Sequence, residues 1–447
     1  MPIIIPANSA AAGGDFVTNG VRFNTQSSTE YMQRNMSNTG NLQAWTVSVW
    51  VKRSVISDGQ HMLFASYYNS SNSTECFFEG NDSLNFRDNE GGSFVFQKKT
   101  TQRFRDPSAW YHLVMSSSAG AQKIYVNGVE VTAFNDNTNG SGTSTWNNDK
   151  SHAIAANVNG GADKAGLYMA EFTSIDGQTL TASSFGEFDE DSGIWVPKDV
   201  TELTFGTNGF YLPFSNSSAL GEDFSGNNLD FPTNNMDATN QVTDTCTNNF
   251  SVFNPLLPTQ SGIVTPAFSD GNLTSLFDNG GTNEFAMSTI AVASGKWYAE
   301  FKWVSATGTG ATSVGVIKTD ANFNTDPNDN GIAYKGNGQK NIGGSSSSYG
   351  ASYGAGNIIS VALNMDDNQI TFYKDGASQG AISITADLTY YIFCSDYNNK
   401  TVSANFGSPP YAISSGNTDG NGRGNFEYAV PSGYLALCTK NLSEELS

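Results

Sequence analysis

The chain has 447 residues and a formal net charge of −20, with 14% charged and 12% aromatic residues. This length is more than one hydrophobic core usually serves, so we expect at least two domains. The acidic balance argues against nucleic acid as a partner, since such binding needs clusters of Lys and Arg. No apolar run approaches the roughly 18 residues of a membrane span, so we expect no membrane insertion.

The first 14 residues form a separate segment. The sequence MPIIIPANSAAAGG at 1–14 holds an apolar run between two prolines, which prevents a regular central strand. It lacks the basic start and the apolar core of a signal peptide, so we predict synthesis in the cytoplasm without one. We expect this N-terminal arm to dock on a neighbouring protein or on its own domain.

In residues 15–200, large apolar side chains recur at every second position, as they do in the strands of an antiparallel sandwich. In WTVSVWV at 45–51, Trp45, Val47 and Val49 share one face, and Trp50 is a large exception on the other. Further strands are predicted at 62–66, 75–78, 93–97, within 110–131, and at 166–175. Residues 201–258 are rich in small polar residues with short apolar pieces, which predicts a packed connector.

A second β-rich region occupies residues 259–447. Strands are predicted at 296–304, 313–318, 331–334, 358–363, 369–373, 390–395 and 401–406, and the segment 343–356 is expected to be an exposed loop. The run 357–380 predicts strands joined by a tight turn at Asp375-Gly376, and the same construction occurs earlier, with Asn127-Gly128 in the matching place. The chain is therefore predicted to be all-β, with two antiparallel β-sandwich domains of jelly-roll type in tandem.

Both halves resemble known families. The first resembles the laminin-G/concanavalin A-like lectin superfamily through WTVSVWVKR at 45–53, WYHLVM at 110–115, KIYVNGVEV at 123–131 and LYMAEFTSIDGQTL at 167–180. The second resembles a SPRY domain through SGKWYAEFKW at 294–303, GIAYKGNG at 331–338, ISVALNMDDNQITFYKDG at 359–376 and YYIFCSDYNNKTVSANFG at 390–407. These resemblances imply a concanavalin A-like sandwich over 15–200 and a SPRY-like sandwich over 259–447.

The order of the modules, with DGQTLTASSFGEFDEDSGIWVPK at 176–198 and VPSGYLALCTKNL at 430–442, resembles virion proteins of marine tailed phages. This resemblance implies a virion appendage or fibre protein that binds glycan on the host surface. It further implies contacts with other virion proteins through residues 1–14, and a homo-oligomer, with a trimer favoured. Similar phage chains often continue past the position of Leu442, so we expect no long shaft within this polypeptide.

Two other functions stay open at this stage. The protein could be a structural decoration or connector of the capsid or tail that binds no glycan. It could also be a laminarinase-like glycoside hydrolase, because Glu187, Asp189 and Asp191 alternate as the carboxylates of those enzymes do. The last position is Asp where the enzymes carry Glu, so its shorter side chain would miss the productive geometry, and we predict no enzyme activity.

Carbohydrate binding needs aromatic faces that stack on sugar rings, with amides and carboxylates nearby, most often on loops at sandwich ends. Aromatic and acidic residues in polar loop context are the candidates, namely Tyr67, Tyr68, Trp146, Tyr349, Tyr353, Asp396 and Tyr397. Each aromatic could instead anchor its own loop.

No cofactor is predicted, although calcium is possible. Asp326, Asn328 and Asn330 match the first positions of a calcium loop, but the twelfth position is Asn337 where a bidentate Glu should close the site. Asp136, Asp223 and Asp230 are equally weak ligands. Three histidines, His61, His112 and His152, have no metal-ligand spacing, and His112 is expected to be packed in a strand. The four cysteines are expected to be free, buried thiols.

Overall fold

The computed structural model describes residues 16–24, 29–69, 71–140, 143–157, 165–257, 265–278, 284–306, 311–321, 330–396 and 399–445. The chain divides between Asn249 and Phe250 into two compact units. Strands in antiparallel sheets dominate both units, so the prediction of an all-β chain with two sandwiches is confirmed. The predicted N-terminal arm at 1–14 lies outside the described residues.

The described residues of the first unit form two large sheets, one small hairpin and two 3-10 helices, at Ala182–Ser184 and Ala238–Asn240. Its strands are β1 (Gly20–Phe23), β2 (Tyr31–Asn35), β3 (Trp45–Arg53), β4 (His61–Asn69), β5 (Asn72–Phe78), β6 (Ser83–Glu90), β7 (Ser93–Arg103), β8 (Trp110–Ser118), β9 (Ala121–Val126), β10 (Val129–Glu130), β11 (Phe134–Thr138), β12 (Ser151–Ile154), β13 (Leu167–Asp176), β14 (Gly186–Phe188), β15 (Trp195–Pro197), β16 (Phe210–Leu212), β17 (Thr233–Asn234) and β18 (Gln241–Val242).

Sheet A of this unit has the order β10-β9-β8-β3-β13-β1-β18, with β16 also beside β13, and sheet B has the order β11-β7-β6-β5-β4-β12-β2-β17. The two sheets pack face to face around an apolar core, where Trp45 of sheet A meets Phe86 of sheet B with ring centroids 5.6 Å apart. Each large side chain buried there contributes about 1.5–3 kcal/mol. Alternation along the strands thus places one face of each sheet in the core.

The other face of sheet A is also buried. Trp50, the exception to the alternating pattern, stacks on His112 at 4.7 Å and is only 2% exposed. The hairpin β14–β15 supplies Trp195, which covers these two rings and contacts His112 at 5.9 Å between centroids. Sheet A is therefore covered on both sides, whereas sheet B keeps side chains on its outer face that reach solvent.

In its described residues the second unit also has two large sheets, and they are followed by helix α1 (Thr439–Glu445). Its strands are β19 (Ala267–Ser269), β20 (Thr274–Phe277), β21 (Glu284–Val292), β22 (Lys296–Ser305), β23 (Ser313–Lys318), β24 (Gly331–Lys335), β25 (Gln339–Ile342), β26 (Ser345–Ser348), β27 (Ile358–Asn364), β28 (Gln369–Lys374), β29 (Ala377–Ser383), β30 (Tyr390–Asp396), β31 (Lys400–Asn405) and β32 (Leu435–Ala436). The sheet orders are β19-β20-β31-β22-β27-β28-β29 and β21-β30-β23-β24-β25-β26, and β32 runs parallel to β22.

The repeated hairpin predicted from the sequence is confirmed in atomic detail. In β9–β10 the turn residues Asn127 and Gly128 have φ of 47° and 82°, and in β28–β29 Asp375 and Gly376 have φ of 48° and 80°. Positive φ at both central positions is what the tight hairpin turn requires. The side-chain oxygen of the first turn residue accepts a backbone N–H in each case, at 2.8 Å for Asn127 and 2.9 Å for Asp375.

Residues 201–258, expected to be a connector, are divided between the units. Residues up to Asn249 belong to the first unit, where β16 extends sheet A beside β13 and β17 pairs with β2 of sheet B. A buried ion pair ties their end to sheet A, because Lys52 Nζ lies 2.5 Å from Asp244 and 2.8 Å from Asn249 Oδ1. This segment therefore completes the first sandwich.

The predicted strands all overlap observed ones, with ends that differ by a few residues. Strands that were not predicted include β1, β2, β6, β11, β12, β20 and β21. The segment 343–356 differs from the expected exposed loop, because Ser345–Ser348 form β26 at the edge of a sheet, paired with β25. The four cysteines are free and buried, as expected.

Candidate functional site

The outer face of sheet B carries two adjacent rows of side chains that cross the strands. The first row runs from β2 to β7 through paired residues, and consists of Asn35, Ser151, Tyr67, Ser73, Asn89 and Phe94. Phe94 is 51% exposed and Tyr67 is half-buried. Because neighbouring strands lie about 4.8 Å apart, these two rings stand about 14 Å apart across three strand intervals.

The second row lies beside the first and consists of Gln33, Ala153, Ala65, Glu75, Arg87, Gln97 and Thr138. Arg87 donates through Nε, at 2.8 Å, and through a terminal nitrogen, at 2.7 Å, to the same oxygen of Glu75. Its guanidinium also lies over the rings of Phe77, at 4.7 Å, and Phe94, at 5.1 Å. Arg87 thereby holds the partly exposed ring of Phe94 in place.

Tyr68 stands at the end of β4 next to this face. Its side chain is 55% exposed, and Lys150 Nζ lies 5.3 Å from the ring centroid. Lys150 also pairs with Asp149 at 3.0 Å. Of the aromatic residues predicted as ligand contacts, Tyr67 lies in the first row of the outer face, and Tyr68 is exposed beside it at the end of β4.

Sequence reasoning missed Phe94, Asn89 and Arg87 as functional candidates. Phe94 and Phe96 should share a face by simple alternation, and Phe96 does lie in the core. The register between β6 and β7 shifts there, so that Asp88 faces Phe96 and Asn89 faces Phe94, with Val95 as the extra residue. This β-bulge turns Phe94 to the outer face. For Asn89 and Arg87, the available signal was the alternation of outward- and inward-facing positions in the polar segment NFRDN at 85–89.

Trp146 was expected to contact a ligand, and this expectation was wrong. The side chain has 0% exposure, its Nε1 donates to Ser174 Oγ at 3.1 Å, and its ring packs 4.7 Å from that of Phe64. The polar loop that contains Trp146 folds over the end of the sandwich, so the ring fills the space between the sheets. It anchors its own loop.

Two of the candidates in the second unit are also buried, contrary to expectation. Tyr353 is 3% exposed and donates its hydroxyl to the carbonyl of Tyr334 at 2.8 Å, and Asp396 is 2% exposed and accepts from Thr312 Oγ1 at 2.6 Å. Tyr349 is partly buried, because its ring packs edge-on against Tyr334 at 5.3 Å and its hydroxyl donates to the carbonyl of Gly380. Tyr397 lies outside the described residues.

The acidic run 187–191 forms no catalytic pair. Glu187 lies in the hairpin β14–β15, outside both large sheets, and pairs with Lys198 at 3.0 Å. Asp189 accepts from the backbone N–H and the hydroxyl of Ser192, at 2.8 and 2.6 Å, and these bonds lower its pKa. A carboxylate that closes its own exposed turn is not poised to donate a proton.

His112 is a packed structural residue. Trp195 Nε1 donates to its Nδ1 at 2.9 Å, so the ring's own proton lies on Nε2, which contacts Ser48 Oγ at 2.8 Å. Burial lowers the pKa of His112 to about 3. A histidine that donates to the serine hydroxyl cannot also remove its proton, so Ser48 and His112 do not form a nucleophile and base.

Two buried carboxyl groups have strongly shifted pKa values. Burial raises the pKa of Asp88 to about 7, and it raises that of Glu171 to about 7 as well. Asp88 points to the inside of sheet B, where its carboxylate accepts from Thr74 Oγ1. Glu171 accepts from the hydroxyl of Tyr211 at 2.7 and 2.8 Å. Both groups are fully enclosed by the fold, so they affect stability rather than a ligand.

No three His, Cys, Asp or Glu side chains converge on a common point suitable for a metal ion within the described ranges. Of the calcium candidates, Asp326 and Asn328 lie outside those ranges, and Asn330 precedes β24. Asp223 closes loops, with Oδ2 accepting from the N–H of Leu229 at 2.8 Å. No helix formed by the described residues is long and apolar enough to cross a membrane.

Family models match both halves of the chain. Residues 25–184 match the concanavalin A-like lectin/glucanases superfamily, in its laminin-G type, and residues 296–409 match the SPRY domain. A laminin-G-like domain is thus followed by a SPRY domain. The laminin-G-like unit continues past its matched region through β14–β18, which cover sheet A and extend both sheets. Domains of these two types typically bind carbohydrate or protein.

Solved structures are similar to one or both domains. The SPRY domain of human HERC1 is 20% identical, covers 34% of this chain and 96% of its own, and has a TM-score of 0.28. Domains LG4-5 of the mouse laminin alpha1 chain are 11% identical, cover 90% of this chain and 92% of their own, and have a TM-score of 0.31.

Proposed function

We propose that the laminin-G-like domain binds carbohydrate, without catalysis, on the outer face of sheet B. The observation that carries this proposal is the first row, in which Tyr67 and Phe94 are separated by hydroxyl and amide side chains on adjacent strands. Aromatic faces stack on the apolar faces of sugar rings, and amides bond their hydroxyls. A spacing of about 14 Å between the rings fits an extended chain of sugars better than a single one.

The same face lacks the means for glycoside hydrolysis. A retaining glycosidase needs two carboxyl groups about 5–5.5 Å apart, one as nucleophile and one as acid. Within the two rows of the outer face, Glu75 is the one carboxylate, and Arg87 engages it twice. A lone carboxylate held by a guanidinium cannot supply the pair of carboxyl groups that the reaction requires. Binding is therefore favoured over hydrolysis.

We place this activity on a phage particle. The order of domains and the segments at 176–198 and 430–442 resemble virion proteins of marine tailed phages, and this resemblance supports a surface appendage that attaches to a host glycan. Contact with other virion proteins through residues 1–14, and a homo-oligomer with a trimer favoured, belong to the same proposal. Weak sites repeated on one particle would attach it through avidity.

The binding face is tested by a pair of matched substitutions. Phe94 and Phe224 are both 51% exposed phenylalanines of the first unit, but only Phe94 lies on the outer face of sheet B. After glycan-array screening of the intact protein, Phe94→Ala should weaken binding of the selected glycan about tenfold, equivalent to 1.4 kcal/mol. Phe224→Ala should leave it unchanged. Equal effects of the two substitutions, or no binding to any glycan, would refute the assignment.

The role on the particle needs a separate experiment. Particles that lack the protein should adsorb poorly to host cells, and the Phe94→Ala protein should restore assembly but not adsorption. If particles without it adsorb normally, the protein is a structural decoration or connector. Deleting residues 1–14 should prevent incorporation into particles while glycan binding in solution persists.

A further inference from the structure

The first unit also contains a cleft whose chemistry differs from that of the outer face of sheet B. It lies at the open edge of the sandwich, between β7 and β11 of sheet B and β9 and β10 of sheet A, and has a volume of about 300 Å³. Lys98, Lys123, Glu130, Phe134 and Asn137 contribute to its lining. Two lysines and one glutamate leave this lining with a charge of +1, in a chain whose net charge is −20.

Lys98 is the unusual member of this group. Its side chain is on the inner side of sheet B, because its cross-strand partner in β6 is Phe86, and the residue is only 5% exposed. Its ammonium donates to Asn137 Oδ1 and lies 5.2 Å from the ring centroid of Phe134. Both of these neighbours line the same cleft. The positive charge is therefore held at the cleft by neutral groups.

The neighbouring lysines show the contrast. Lys99 points to the opposite side of the sheet and pairs with Glu79 at 3.4 Å, and Lys123 at the rim pairs with Glu130 at 2.9 Å. No carboxylate among the described residues forms an ion pair with Lys98. Taking an ammonium group out of water without a counter-charge is unfavourable, and folded proteins usually relieve it by pairing. Burial accordingly lowers the pKa of Lys98.

We propose that this cleft binds a single negatively charged group, a carboxylate or a sulfate ester, against the ammonium of Lys98. The bearer of that group is an acidic sugar, an extension that rests on the glycan binding proposed above. An anion in the cleft supplies the counter-charge that the fold does not, which is why its binding is favourable there. Lys is suited to this task as a point charge that accepts either geometry of anion.

A second cleft of about 310 Å³ adjoins the first and shares Glu130, Val131 and Thr132 with it. Its other lining residues include Val129, which is 62% exposed, and Asn127 of the hairpin turn. This neighbour carries no lysine. Its one charged lining residue, Glu130, pairs with Lys123. A cationic subsite beside one without a lysine fits an oligosaccharide in which an acidic sugar is linked to a neutral one.

The test uses the full chain with Val methyl groups labelled for NMR, because Val131 lines both clefts. The probes are inorganic sulfate, glucuronate, glucose 6-sulfate and glucose, each at constant ionic strength in chloride. The charged probes should shift the Val131 methyl signals, at concentrations at least tenfold lower than glucose requires. Lys98→Met should abolish this preference, and the matched control Lys99→Met should keep it.

The outcomes separate the two proposals. If the charged probes leave Val131 unaffected in the wild-type protein, the cleft assignment is overturned, whether or not Lys98→Met folds. It is also overturned if Lys98→Met keeps the preference for charged probes over glucose. If inorganic sulfate shifts Val131 but glucuronate and glucose 6-sulfate do not, the cleft holds a free anion only and its assignment to an acidic sugar is overturned, while the glycan proposal is decided separately by Phe94→Ala. If neutral glycans bind at the outer face of sheet B without any preference for charge, the glycan proposal stands and the cleft assignment fails.

Discussion

The turn at Gly128 offers a sharp test of the first unit, because a second glycine nearby serves as its control. Gly128 has φ of 82°, and a methyl group added there would lie 2.3 Å from Cε3 of Trp195. Gly120, in the preceding hairpin turn, has φ of 79° but nothing within 4 Å of the same methyl position. The two substitutions to alanine thus share the backbone conformation and differ in the contact.

The expected magnitudes follow from that difference. An alanine in the left-handed region costs about 1 kcal/mol at either site. At Gly128 the methyl must also displace Trp195, and forcing extra volume into filled space adds about 1–3 kcal/mol. Displacement also disturbs the 2.9 Å hydrogen bond from Trp195 to His112. We therefore expect Gly128→Ala to destabilise the unit by about 2 kcal/mol more than Gly120→Ala.

Thermal unfolding measures this difference, which should appear as a melting temperature about 4–8 °C lower for Gly128→Ala than for Gly120→Ala. Hydrogen exchange followed by mass spectrometry would show whether β8–β10 and the hairpin β14–β15 lose protection together, as the contact requires. Equal melting temperatures for the two variants would show that Trp195 does not cover this turn. The packing of the hairpin on sheet A would then be refuted.

Three further predictions concern buried groups. Trp146→Ala should destabilise the first unit by about 3–5 kcal/mol in denaturant unfolding while the folded fraction keeps its glycan affinity; loss of affinity without loss of stability would restore Trp146 as a ligand contact. Asp88 has a pKa raised to about 7, so it contributes stability that is present below its ordinary pKa and is lost as pH rises through 7. Asp88→Asn should therefore reduce the fall in unfolding free energy between pH 5 and pH 9 by about 2–3 kcal/mol. An identical pH profile of the variant and the wild-type protein would contradict this. In NMR titration the imidazole of His112, with its pKa lowered to about 3, should remain neutral at pH 5, and a midpoint near 6.5 would show that it is not enclosed as described.

The sequence alone determined the fold of this protein to a large extent. Period-two alternation in strands such as Trp45–Arg53 and the turn signals Asn127-Gly128 and Asp375-Gly376 depend on local geometry, since successive side chains of a strand must point to opposite faces. Those rules hold wherever the strand lies. The prediction of two antiparallel sandwiches with a repeated hairpin therefore needed no tertiary information.

The tertiary structure alone decided which aromatic side chains can meet a ligand. Trp146 and Tyr353 stand in polar sequence contexts, yet both are buried, because their loops fold over the end of a sandwich or onto a sheet and fill space left by distant residues. Phe94 looks like a core residue, yet a single bulge opposite Asn89 turns it outward. The exposure of a side chain depends on what packs against it. The local pattern of polar and apolar residues predicts neither the path of a loop nor the position of a β-bulge.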